Sequence, residues 1–145
     1  MSTRFSLYHT LSEDSKAISA VLLAYQDALN ESSVPAVMAL YAPDGVFMPQ
    51  HFPSTVGTSE IKTAYEAIFG QIQLVVKFTI VEIVETGTEW AFAQTKSAGH
   101  TVLKATGASG GKEANQELFV MKKIGPDWKI ARYCFCTTNP PPALS

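Results

Sequence analysis

Residues 74–102 read LVVKFTIVEIVETGTEWAFAQTKSAGHTV, and this stretch decides the fold. Val, Ile, Phe and Thr crowd both halves, while Thr86-Gly87-Thr88 between them has the chemistry of a tight reversal. Two long strands, 74–85 and 90–102, are therefore expected to form a hairpin. Downstream, 115–124 and 128–137 have the same β-rich composition and are joined by Gly125-Pro126-Asp127. The connection 104–112, with three glycines, reads as a longer flexible loop. A mostly antiparallel sheet follows. Asn139-Pro140-Pro141-Pro142 cannot continue a central strand, because proline has no amide hydrogen to give a neighbour.

Upstream of the strands the period changes. Ile18, Val21, Leu22, Tyr25, Ala28 and Leu29 form a helical stripe over 12–30, with Ser12 as cap and Glu13 and Asp14 in the first turn. A second helix is read over 34–41 behind a Ser33 cap, and a third over 58–69 with Ile61, Ala64, Tyr65 and Ile68 inward. Between them, 46–48 is a short strand and 49–57 a loop with two prolines. Three helices followed by a long meander imply an α+β fold: a cone-shaped, curved sheet with the helices on its concave face. The 145 residues make one domain, with 1–11 as an N-terminal extension and 138–145 as a proline-rich tail.

Eleven Lys and Arg against thirteen Asp and Glu give a net charge of −2, without the basic cluster that a phosphate backbone demands. Nucleic acid is not an expected partner. Apolar runs are interrupted well before the roughly 18 residues that span a bilayer, so no membrane partner is expected either. The opening MSTRFSLYHTLSED has no apolar core followed by small residues, and a cytoplasmic protein is expected. Cys134 and Cys136 read as two reduced thiols.

Chemistry-bearing motifs are sparse. Gly107-Ala108-Ser109-Gly110-Gly111-Lys112 has the wrong spacing for a phosphate loop and precedes a strand. His9, His51 and His100 are far apart, so a metal site would need folding to join His51 and His100 to Glu117; no metal and no cofactor are expected. More telling are polar groups set among apolar ones. Tyr25 in the first helical stripe offers a phenol that could donate to a developing oxyanion, and His51 in the loop after the first strand could act as a base. Alternation sets Trp90, Phe92, Gln94, Lys96, Ala98 and His100 on one side of their strand, opposite a side of small residues. Glu117 shares a side with Phe119 and Met121, where an apolar setting would raise its pKa. Arg132 is expected to share its face with Trp128, Ile130 and the two cysteines, with Tyr133 and Phe135 facing the other way.

Three stretches carry a family resemblance: Ala24-Tyr25-Gln26-Asp27-Ala28-Leu29-Asn30, Leu40-Tyr41-Ala42-Pro43-Asp44-Gly45-Val46-Phe47-Met48-Pro49, and Trp128-Lys129-Ile130-Ala131-Arg132-Tyr133. With Gly57, Ile61 and Tyr65, they make the chain resemble the SnoaL-like branch of the nuclear-transport-factor-like superfamily, near the small proteins related to SgcJ and EcaC. The resemblance implies a cone-shaped α+β barrel, a pocket inside it, and a homodimer formed through the outer sheet face. It sets Tyr25 on the tyrosine that donates to the enolate in ketosteroid isomerases. Their catalytic aspartate falls near Met48-Pro49, which move no protons, so steroid isomerisation is not implied.

The expected function is therefore a small-molecule protein whose apolar pocket takes a hydrophobic carbonyl compound, as a cofactor-independent isomerase, cyclase or dehydratase. Tyr25 and His51 are the candidate catalytic residues. Phe47, Tyr65, Phe69, Trp90 and Phe119 are the candidate apolar wall, with His100 and Glu117 as polar members of the binding site. The alternative is a non-catalytic ligand-binding or accessory homodimer.

Overall fold

The computed structural model describes residues 11–141; His9 and most of the N-terminal extension and proline-rich tail lie outside them. Helix α1 (Glu13–Asn30) starts where Ser12 accepts a hydrogen bond from the Ser15 amide. The Ser12 and Ser15 hydroxyls then donate to Glu85, tying the start of the helix to the sheet. Helix α2 (Val34–Met38) is capped by Ser33 as its sequence implies. It stops before Tyr41 because the Leu40 carbonyl accepts from the Ile130 amide, which draws the chain into the sheet.

Strand β1 (Tyr41–Met48) is thus longer than the sequence suggests, with its irregularity between Tyr41 and Val46. There Gly45 lets the chain fold over Tyr41, since a Cβ would lie 2.9 Å from that ring. After β2 (Thr55–Val56) comes α3 (Gly57–Gln71), then β3 (Ile72–Glu85), β4 (Trp90–Leu103), β5 (Ser109–Ile124) and β6 (Asp127–Thr137). The segment expected to be a loop over 104–112 is a loop only as far as 108, and its remainder belongs to β5: Gly111 and Lys112 pair with Thr101 and His100.

The sheet order is β2-β1-β6-β5-β4-β3, open at β2 and β3. All neighbours run antiparallel except β1 and β6, which are parallel. Helix α1 packs on β3 and β6, and α3 on β1. One face is thereby covered, as an α+β fold with helices on the concave side requires.

Two readings of strand facing change. On β4 the small side, Ala91, Ala93, Thr95 and Ser97, is buried beneath the helices, while Trp90, Gln94, Lys96 and His100 are exposed on the outer face. On β6 the register slips between Val120 and Met121, which leaves Ala131 as an extra residue. Trp128 and Ile130 point inward before this bulge, and Tyr133 and Phe135 after it. Arg132 and Cys134 therefore do not share a face with Trp128 and Ile130, contrary to simple alternation. The Trp128 indole is fixed by Asp14, 2.9 Å away, whose other contact is Lys123 at 3.1 Å.

Candidate functional site

Between the helices and the covered face lies a cavity of about 250 Å³. Each layer contributes to it: Tyr25 from α1, Phe47 from β1, Tyr65 from α3, Phe78 from β3, Glu117 from β5 and Tyr133 from β6. Alternation on β5 brings Glu117 inward with Phe119 and Met121, and its cross-strand partner on β4 is Thr95. The Thr95 and Ser97 hydroxyls donate to the two oxygens of Glu117, each at 2.6 Å. Only 4% of Glu117 is exposed. Burial pushes its pKa up from 4.5, and the two hydroxyl donors hold that rise back.

Beside this carboxylate runs a chain of phenols. The Tyr41 and Tyr65 hydroxyls are 2.8 Å apart, and those of Tyr65 and Tyr25 are 2.6 Å apart. Burial raises the pKa of Tyr25, Tyr41, Tyr65 and Tyr133. The Glu117 charge adds to the rise at Tyr25 and Tyr133. These groups keep their protons and act as hydrogen-bond donors. If Tyr41 donates to Tyr65 and Tyr65 to Tyr25, the Tyr25 proton is left free to be donated into the cavity.

The rings form an ordered wall. Phe47 stacks on Tyr65 at 4.8 Å with 19° between planes, and lies 8° from the plane of Tyr133. Phe135 continues the series, 24° from Phe47. At the rim, Pro49, Gln50 and Phe52 come from the loop after β1, and Glu113 and Asn115 from β5. Gln50 anchors that loop by accepting from the Thr137 amide.

The fold thus brings together Tyr25, Phe47, Tyr65 and Glu117. Phe69 and Phe119 are buried just behind the wall: Phe69 contacts Tyr65, and Phe119 stacks on Tyr133 at 4.2 Å. Trp90 and His100 stand on the outer face, with the Lys122 ammonium over Trp90. His51 is exposed, in the left-handed region with φ of 70°, and its ring nitrogen is 2.8 Å from the Gln50 amide nitrogen. It does not line the cavity. With His100 outside the sheet and Glu117 inside, these two and His51 do not form a ligand set; no such cluster occurs among the described residues. Of the carboxyl and imidazole groups considered from the sequence, only Glu117 reaches the cavity, and the sequence signal for it is a single acid on the strand side that carries Phe119 and Met121. Tyr41 and Tyr133 were not singled out as site residues. The first reads from sequence as an inward residue at the end of the second helix, whereas it opens β1, and the second is turned inward by the bulge.

Comparison with known proteins finds a family model described as a SnoaL-like domain over residues 22–133. Among solved structures, a ketosteroid isomerase-like protein from Erwinia carotovora atroseptica is 35% identical, with a TM-score of 0.84 over 90% of this chain and 100% of its own. Two proteins from Novosphingobium aromaticivorans share the fold. One, a candidate aromatic ring hydroxylase, has 22% identity and a TM-score of 0.74 over 91% and 94% of the two chains. The other, a candidate scytalone dehydratase, has 16% identity and a TM-score of 0.73 over 87% and 85%. Comparison with curated proteins gives no significant match.

Proposed function

The chain belongs to the SnoaL-like domain family, and from that premise we propose that it binds a hydrophobic carbonyl compound in the cavity and moves a proton on it without a cofactor. The observation that carries this reading is the Glu117 carboxylate, buried in an apolar cavity beside Tyr25 and held, among the described residues, by the neutral hydroxyls of Thr95 and Ser97. A buried acid without a cationic partner costs stability, and such groups concentrate at working sites. In the proposed step Glu117 takes a proton from the carbon next to the carbonyl. Tyr25 donates a hydrogen bond to the oxygen as negative charge develops there. Returning the proton to a different carbon isomerises the compound; expelling a neighbouring hydroxyl as water dehydrates it.

The experiment is hydrogen–deuterium exchange at the α-carbon of 2-tetralone in D₂O, followed by proton NMR. Exchange well above the buffer rate is expected, and Tyr25→Phe should slow it about a hundredfold, the usual effect of losing an oxyanion donor. Exchange at the buffer rate with the intact protein would overturn the catalytic reading. It would favour instead a non-catalytic binding protein, for which the occupation of both Glu117 oxygens by Thr95 and Ser97 is the supporting observation.

The proposal extends to a homodimer through the outer sheet face, supported by Val81, Trp90 and Leu118, which are 45%, 41% and 43% exposed there. Light scattering on the eluting protein should give twice 15.7 kDa, and a monomer at micromolar concentration would overturn it. A reducing compartment such as the cytoplasm is proposed from Cys134 and Cys136, two free thiols side by side on the outer face.

A further inference from the structure

Among the described residues, the cavity lining holds two carboxylates, Glu117 and Glu113, and no Lys, Arg or His. Glu113, Asn115 and Glu117 are successive inward residues of β5, so the first and last stand about 13 Å apart along the strand. Glu117 is deep, among the parallel rings. Glu113 is at the partly exposed rim, where its Oε2 accepts from the Asn115 amide at 3.2 Å. No ion pair engages Glu113 among the described residues. Lys112, the nearest cation in the chain, is the preceding strand residue and so belongs to the other face.

A cleft lined by charge of one sign, with low-dielectric walls, concentrates ligands of the opposite sign and repels its own. Aromatic faces act in the same direction, because their quadrupole attracts cations, and Phe52 and Phe135 line this cavity too. The volume of about 250 Å³ falls just below the usual range for drug-sized ligands, so it suits a body of one or two rings.

We infer that the cavity is selective for charge: its ligand is a one- or two-ring compound carrying an ammonium group at the end that meets Glu113, and compounds with a carboxylate or phosphate there are excluded. This deepens the reading of the same site as a small-molecule pocket and depends on that reading. The apolar body lies along the Phe47, Tyr133 and Phe135 wall, its reacting end faces Glu117 and Tyr25, and the ammonium sits at the rim. Ionisation of Glu117 is not required, since Glu113 alone supplies the rim charge.

The test is isothermal titration at pH 7 and low salt with three probes on one skeleton: tryptamine, tryptophol and indole-3-acetate. The amine is expected to bind about tenfold more tightly than the alcohol, and the acid at least tenfold more weakly than the alcohol. Glu113→Gln should bring the amine within about threefold of the alcohol. Equal or tighter binding of the acid overturns the inference, as does an amine preference that survives Glu113→Gln. Failure of all three probes to bind at millimolar concentration overturns it as well. The 2-tetralone exchange assay uses an uncharged compound, so it reports separately on whether the pocket acts on carbonyls at all.

Discussion

Glu117→Gln is expected to slow α-carbon exchange about a thousandfold while leaving the protein as stable as before or more so at pH 7. The first half follows from removing the one carboxylate that the described residues place inside the ring wall, since positioned acid–base groups contribute about 10²–10⁴ in rate. The second half follows from linkage. Burial is the main cause of the raised pKa of Glu117, so the folded state holds this proton more tightly than the unfolded chain does. The destabilisation therefore begins as pH rises through the unfolded value near 4.5 and is complete above the folded one. Glutamine carries no such cost, and Thr95 and Ser97 can turn their hydroxyls to suit an amide. Thermal melts from pH 4 to 8 should show the two proteins converging at the acid end and the variant holding its ground at the neutral end. A variant that exchanges as fast as the parent sinks the catalytic assignment. One that loses stability at pH 7 makes the carboxylate a structural group.

Phe119→Ala should produce the largest loss of stability. The ring is fully buried, stacks on Tyr133 at 4.2 Å with 7° between planes, and meets Tyr25 edge-on at 5.6 Å. Truncating such a ring costs about 3–5 kcal/mol, part from lost transfer energy and part from the void. For a chain of this length that is roughly 10 °C or more in melting temperature, measurable by calorimetry. Because Tyr25 and Tyr133 both lean on this ring, the phenol positions should loosen too, and exchange should fall with stability. A shift of only a degree or two would mean that the neighbouring rings collapse into the space.

Much of this site was legible from local pattern. The helical stripe gave Tyr25 and Tyr65, and shared facing with Phe119 and Met121 brought Glu117 inward. What misled was the habit of assigning large apolar residues to the interior. On β4 it is the small residues Ala91, Ala93, Thr95 and Ser97 that are buried beneath the helices and the aromatic wall. Trp90, Phe92 and His100 take the other side. Tyr133 and Phe135 turn inward because Ala131 is one residue too many, and a single bulge of this kind has no local signature in the side chains around it. His51 looked suited to proton transfer by residue type alone, yet its loop is anchored so that the ring meets Gln50 rather than the cavity.

The strand order has a consequence for how the chain comes to be folded. Strand β6 is inserted between β1 and β5, so the first strand has no long neighbour until the eleven residues of β6 have been made. Contacts this distant in sequence are slow to form, because loop closure must precede any gain from pairing. During synthesis the helices and the β3–β5 meander emerge with their apolar faces uncovered, and the cavity does not yet exist. Closure of the sheet is thus held back until β6 has been made, and a chain cut short before Asp127 would leave two sheet fragments with exposed edges open to aggregation.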